Sequence, residues 1–264
     1  PFGVERYELG ASMGSNSYQE ATADLNKPLN DTTALRINAM QRDEGSGRSN
    51  PVTGTEPEIH RKGLAASLGM NLQTDNQFWL NYYRLQTHDN PDYGISFDAT
   101  TRAPGRILPA SYYWGNERTF DQSDTELTTL VNEYRLAPDS QIRTQLRLAD
   151  YQRSYWGKTP NLSTAPDALG GVGGNQTRTS SYKTVTLQSD YNTKFAAFGM
   201  RHEVLAGIEY LKEESYRKGL QNFGTLAAPD FRPYQEAVAG SPTSFTSDSY
   251  AVYAQDTVEF LPQW

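Results

Sequence analysis

The chain has no cysteine, which excludes disulfide staples and thiolate metal sites. It also has no long apolar run. Only 36% of its 264 residues are hydrophobic and the mean hydropathy is -0.71, so a transmembrane helix is excluded. Histidine is scarce: His60, His88 and His202 are isolated in sequence and fall near expected strand ends, so no metal-ligand set converges. Lys and Arg number 24 against 31 Asp and Glu, a formal charge of -7, which argues against a general nucleic-acid binder. No secretory leader opens the chain at Pro1, as expected of a mature protein or of a fragment.

Catalytic motifs are lacking too. The glycine-rich run from Leu169 to Gly174 has no strand-to-helix context and reads as a loop tip rather than a phosphate cradle. Glu213 and Glu214 are adjacent, so on a strand they point to opposite faces. No nucleophile elbow is present. The chain is not expected to be an enzyme.

What the sequence does have is tyrosine, 17 of them, and period-two alternation. Tyr7, Leu9, Ala11 and Met13 alternate with Arg6, Glu8, Gly10 and Ser12. Leu35, Ile37 and Ala39 oppose Arg36, Asn38 and Met40. Ile142, Thr144, Leu146 and Leu148 oppose Arg143, Gln145 and Arg147, and Val204, Ala206, Ile208 and Tyr210 oppose Glu203, Gly207 and Glu209. Such alternation marks strands with one apolar and one polar face. About ten strands are counted by this pattern. The phase is unclear in Gln77–His88, Glu126–Leu136 and Tyr250–Phe260, where Asp256 interrupts either face.

The connections alternate as well. Asn30-Asp31, the run from Gln73 to Asn76 and the run from Ala137 to Ser140 are short; Arg42–His60, Asp89–Ser123, Trp156–Ser180 and Glu213–Ser247 are long and polar. A soluble sandwich also alternates faces, but its strands are usually about five or six residues, whereas a tilted membrane-spanning strand needs about nine to eleven. Strand length and alternating loop length together predict an all-β, antiparallel up-and-down transmembrane β-barrel.

Several segments then carry a family resemblance. The stretch Ala23–Leu29 followed by Thr33–Ala39 resembles the first periplasmic turn and flanking strands of TonB-dependent outer-membrane siderophore receptors of the catecholate type. Asn90–Ile95 resembles that family's PDYG loop opening, and Tyr112-Tyr113-Trp114-Gly115 resembles the aromatic-glycine end of the same loop. Thr144–Arg147 with Tyr151 resembles a later ascending strand, and Tyr250–Asp256 the recurrent YAxYxQD strand. The resemblance implies a barrel of about 22 strands, of which residues 1–264 would be the N-terminal half, with the plug domain and remaining strands absent. It further implies a monomer in the outer membrane of a Gram-negative bacterium, surrounded by outer-membrane lipid and lipopolysaccharide. TonB would act through the missing plug. The ligand would be a ferric siderophore, with iron arriving already chelated and no cofactor needed. A carbohydrate or other organic-nutrient receptor of the same barrel type, a passive outer-membrane channel and a soluble β-rich module are the alternatives.

A ferric catecholate is a flat anionic chelate, which calls for arginine and aromatic faces. On the family reading the loop Asp89–Ser123 offers Tyr93, Arg102, Arg106, Tyr112, Tyr113, Trp114 and Arg118. Those aromatics equally suit packing within the loop or an upper girdle. Arg147 and Tyr151 lie on the expected lumen face, with Arg153, Tyr155 and Trp156 extending that strand upward. Arg143 suits pairing with a barrel carboxylate such as Glu133 as well as anion guidance.

Overall fold

A computed structural model describes residues 3–98, 100–101, 103–104, 109–115, 119–160, 175–220 and 238–260. Ten strands form one antiparallel up-and-down sheet: β1 (Arg6–Met13), β2 (Gln19–Asn30), β3 (Thr33–Glu44), β4 (Ile59–Met70), β5 (Asn76–Asp89), β8 (Phe120–Ala137), β9 (Ser140–Lys158), β10 (Asn175–Ala197), β11 (Met200–Leu220) and β12 (Val238–Glu259). A small separate hairpin, β6 (Phe97–Asp98) with β7 (Ala103–Pro104), lies in the connection between β5 and β8. The order follows the chain and the sheet is not closed among the described residues, with β1 and β12 at its edges. No described helix is long and apolar enough to cross a membrane.

The registers put the apolar and polar sets on opposite faces across the whole sheet. Tyr7, Leu25, Ile37 and Ala66 fall in one row; Ile142 pairs Tyr191, Leu146 pairs Leu187, and Ile208 pairs Val252 on that same face. On the other face Glu8, Asp24 and Asn38 form one row, and Arg143, Asp190 and Gly207 another. The apolar side chains remain broadly exposed, Leu187 at 42% and Val252 at 85%. A sheet that covers its apolar face with nothing of its own fits a lipid-facing wall. Registers also settle the three ambiguous phases. β5 and β8 carry leucines on both faces, with Leu80 opposite Leu130 outside and Leu127 opposite Tyr83 inside. Asp256 does lie on the apolar face, where its Oδ2 meets His202 Nδ1 at 2.7 Å near the turn end of β11.

Two expectations need correction. Trp156–Ser180 and Glu213–Ser247 are not wholly loop, because β9 runs to Lys158, β10 starts at Asn175, β11 runs to Leu220 and β12 starts at Val238. The strands lengthen from 12 residues in β2 to 23 in β10, about twice what a membrane crossing needs. Their upper parts are polar on both faces, so the hydrophobic period disappears while the backbone ladder continues. The first connection at the loop end, between Met13 and Gln19, is also short. At the turn end a fourth short turn, Phe198-Gly199, joins β10 to β11 and carried no sequence signal.

Neighbouring hairpins are stitched at that end. Leu72 N donates to Thr32 O at 2.8 Å, Arg135 N to Asp75 O at 2.7 Å and Lys194 N to Asp139 O at 2.9 Å. Within the sheet Gly207 leaves room for Tyr253, whose hydroxyl donates to Asp190 Oδ1. A Cβ at 207 would lie 2.4 Å from Tyr253 Cζ, so the ring would have to swing away and lose that bond. Gly207→Leu should therefore lower stability by about 1–3 kcal/mol, the usual penalty of overpacking. Urea unfolding of the intact protein in detergent reads it, and adding Tyr253→Ala should restore part of the loss.

Candidate ligand-facing wall and loop platform

Two loops lock together above β3, β4, β5 and β8. Arg48 is the centre of the lock: its Nη1 reaches both Asp92 oxygens at 2.7 and 2.9 Å, and its Nη2 donates to the carbonyls of Gly94, at 2.7 Å, and Tyr112. Backbone bonds Ser49 N to Ser111 O (3.1 Å) and Tyr113 N to Ser49 O (3.0 Å) extend the junction. Asn50, fully buried, donates from Nδ2 to Gly115 O at 2.9 Å. Tyr113 and Trp114 are only 2% and 3% exposed. The Tyr113 hydroxyl donates to Asn90 Oδ1 and lies 3.3 Å from Pro91 O, and burial pushes its phenol well above the ordinary tyrosine range. These two aromatics are enclosed within the joined loops. Tyr112 is half-buried, its carbonyl taken by Arg48.

Tyr93 is placed differently. It is 41% exposed, and its ring lies over the backbone of Gly157, where an added Cβ would fall 2.5 Å from its hydroxyl. Burial first, and then the charge of Asp121, push its phenol up, opposed by Arg153. Arg102, Arg106 and Arg118 lie outside the described residues.

The polar face of β8–β11 supplies the rest of the site. Period two carries Arg147, Tyr151, Arg153 and Tyr155 on one face of β9, and the register adds Arg178, Ser180, Tyr182 and Thr186 from β10 and Arg217 from β11. Tyr151 and Tyr182 stack at 6.1 Å with 28° between their planes. Arg147 Nη2 is 3.3 Å from the Tyr151 hydroxyl, and the Tyr182 hydroxyl donates to Glu213. Above them Arg153 pairs with Asp121 through bonds of 2.9 and 2.5 Å while its guanidinium carbon lies 5.0 Å from the Tyr155 ring centre. Trp156 points to the opposite face, paired in register with Phe120 and buried, so it does not join this wall.

Charge balance distinguishes the cations. Arg36 is held by Asp24, Arg61 by Asp89, and Arg143 by Glu133 at 3.4 Å, the pairing expected for Arg143. Among the described residues no carboxylate pairs with Arg147, Arg178 or Arg217. Arg147 borders an open recess of about 360 Å³ on the polar face, with Asn38, Ser67, Asn81, Tyr83 and Thr129 around it. The lining, which also includes Ala65 and Leu127, is neutral apart from that guanidinium, so an anion entering would meet a cation without a competing carboxylate. Arg178, Tyr182 and Arg217 were missed by sequence reasoning, although the period that fixes Thr184, Thr186 and Gln188 on the polar face carries straight to Tyr182. No group of His, Asp or Glu among the described residues is arranged to hold a metal ion.

An open up-and-down sheet with an apolar exterior, an arginine-tyrosine inner wall, and turns and loops at opposite ends has the architecture of a transmembrane β-barrel wall. The chain belongs to the TonB dependent receptor-like, beta-barrel family, whose model matches residues 65–264. It is similar to the catecholate siderophore receptor Fiu of Escherichia coli O157:H7, with 25% identity over 96% of this chain and 36% of that protein. It is also similar to the probable TonB-dependent siderophore receptor PiuA of Acinetobacter baumannii, with 26% identity over 97% of this chain and 38% of that one. The crystal structure of the ferric-catecholate import receptor Fiu from E. coli K12 in its open form shares the fold at a TM-score of 0.79 and 23% identity, covering 99% of this chain and 43% of that one. The chain thus spans little more than a third of the length of these curated relatives.

Proposed function

We propose that residues 1–264 form the N-terminal half of the barrel of an outer-membrane receptor for ferric siderophores of the catecholate type. On this reading the receptor is a monomer set in lipid and lipopolysaccharide of a Gram-negative outer membrane. Uptake is driven through TonB, acting on a plug outside this segment. The short turns lie on the periplasmic side and the loops outside.

The observation that carries the reading is the inner wall, where Arg147, Arg178 and Arg217 pair with no carboxylate among the described residues and Tyr151 stacks on Tyr182. A catecholate chelate is anionic and aromatic, so it gains from both the charge and the ring faces. A neutral sugar would use the rings but gain little from the unbalanced charge, which is why the carbohydrate reading ranks second. The iron is cargo: its chelator already fills its coordination sphere, and this wall needs only to hold the outside of the complex. Because the wall handles an intact complex, its task is recognition and passage rather than bond-making.

Titrating the intact receptor with a ferric catecholate should quench its tyrosine and tryptophan emission saturably, while neutral oligosaccharides should leave it unchanged. A response to sugars alone would transfer the protein to the nutrient-receptor reading.

A further inference from the structure

One glycine of the inner wall is required by space and not by backbone shape. Gly157 stands in β9, whereas the glycines with positive φ among the described residues are Gly54, Gly94 and Gly199. A Cβ at 157 would lie 2.5, 2.6 and 2.7 Å from the Tyr93 hydroxyl, Cε2 and Cζ, closer than real Cβ atoms come. The β9–β10 ladder is unbroken from Lys158 to Ser140, so period two gives that vacant direction to the face that carries Tyr155, Arg153 and Tyr151. Tyr93 belongs to the connection between β5 and β8, so its loop reaches past β8 to rest on β9.

The contact is fixed from both sides. Arg48 binds the residues flanking Tyr93, through the Asp92 carboxylate at 2.7 and 2.9 Å and the Gly94 carbonyl at 2.7 Å. Gly94 N donates to Asp92 Oδ1 at 2.8 Å, and its φ of 80° is a turn that glycine takes without strain. On the wall side, Tyr155 pairs in register with Arg178, while Arg153 pairs with Ser180, which in turn pairs with Arg217. Arg178 and Arg217 have no carboxylate partner among the described residues. Tyr93 is close enough to feel the charges of Asp121 and Arg153, which places its phenol beside this group. Through Tyr93 the platform held by Arg48 thus meets the cationic upper end of the wall.

We infer that Gly157 is a seat for Tyr93, and that the two are positioning residues holding the loop platform against the mouth of the wall beside Arg178 and Arg217. The inference deepens the siderophore-receptor reading and rests on it for the ligand. A platform held there narrows the way out for a complex lying on those arginines. Lifted from its seat, it leaves the complex bound from one side.

The chain has no cysteine, so a pair of spin labels can be placed at Ile95→Cys in the loop and Gln152→Cys on β9, both exposed, in the intact receptor freed of any other reactive thiol. Valine suits a strand, so β9 should stay formed in Gly157→Val. Pulsed dipolar spectroscopy should give a narrow distance between the labels in the parent and a longer, broader one in Gly157→Val. Tyr93→Ala empties the seat from the loop side and should broaden the distance equally, with no further change in the double variant. An unchanged distance in Gly157→Val overturns the seat, and so does a double variant broader than both singles. Stopped-flow release of the ferric tris-catechol complex should quicken by about three- to tenfold in either single variant, the worth of one aromatic contact. A lengthened distance with unchanged release overturns the positioning role. If the parent binds no ferric catecholate, the siderophore reading falls, and the distances still decide the seat.

Discussion

Arg147→Ala should weaken binding of a ferric catecholate by about ten- to a hundredfold, the loss expected when a hydrogen bond to a charged group worth about 1.5–3 kcal/mol is removed. The reason lies in its surroundings. Its guanidinium has the Tyr151 hydroxyl at 3.3 Å and no carboxylate partner among the described residues, so its charge is available to an incoming anion. Arg143, four residues away on the same face, already holds Glu133 at 3.4 Å and Gln145 at 2.9 Å. Arg143→Ala should therefore change affinity by less than about threefold, since an already satisfied, half-exposed ion pair has little left to offer a ligand. Arg147→Lys keeps the charge but loses the planar fork, and should recover only part of the affinity. Fluorescence titration of the intact receptor reads all three variants. Equal losses for Arg143→Ala and Arg147→Ala would mean that charge on this face acts diffusely, and an unchanged affinity for Arg147→Ala would remove it from the site.

Tyr113→Ala should release the loop platform. The side chain is 2% exposed and its hydroxyl serves Asn90 and Pro91, so truncation loses both packing and bonds. Large-to-small changes of buried aromatics cost about 3–5 kcal/mol, enough to raise the open population of a locally held loop by two orders of magnitude or more, since about 1.4 kcal/mol is tenfold. The barrel ladders do not pass through Tyr113, so unfolding of the whole protein should change little. Limited proteolysis should show faster cleavage within residues 90–115 of the folded receptor. Tyr113→Phe keeps the ring and should give a much smaller increase. If cleavage in Tyr113→Ala matched the parent, the lock would reside in Arg48 and its bonds to Asp92 and Gly94 alone.

The sequence made the lower part of the wall legible because one face meets an apolar medium and the other a polar one. Leu35 and Ile37 against Arg36 and Asn38, or Leu146 and Leu148 against Gln145 and Arg147, can be read directly as two faces. The same logic placed Arg147 and Tyr151 on the polar face and anticipated the Arg143–Glu133 pair. Above the apolar band the period fades, since Ser180, Ser181, Ser215 and Ser244 are polar whichever way they point. The upper strands are held by ladder bonds, to which side-chain polarity is blind. The platform was illegible for another reason. Arg48 meets Asp92 across 44 residues, and nothing local in either segment signals the other. The aromatic run Tyr112-Tyr113-Trp114 looked available to a ligand, yet the two residues after Tyr112 are enclosed by partners distant in sequence.

By itself, then, the sequence determined which residues share a face and that one of the two faces is apolar, because both follow from a period of two along a single strand. Tertiary structure decided how far the strands rise, which arginines keep an unbalanced charge and which aromatics are enclosed. Each of those depends on what lies opposite across a ladder or beneath a folded loop. It also decided that Phe198 stands bare at a two-residue turn, a fact of backbone geometry and exposure that no period along the chain records.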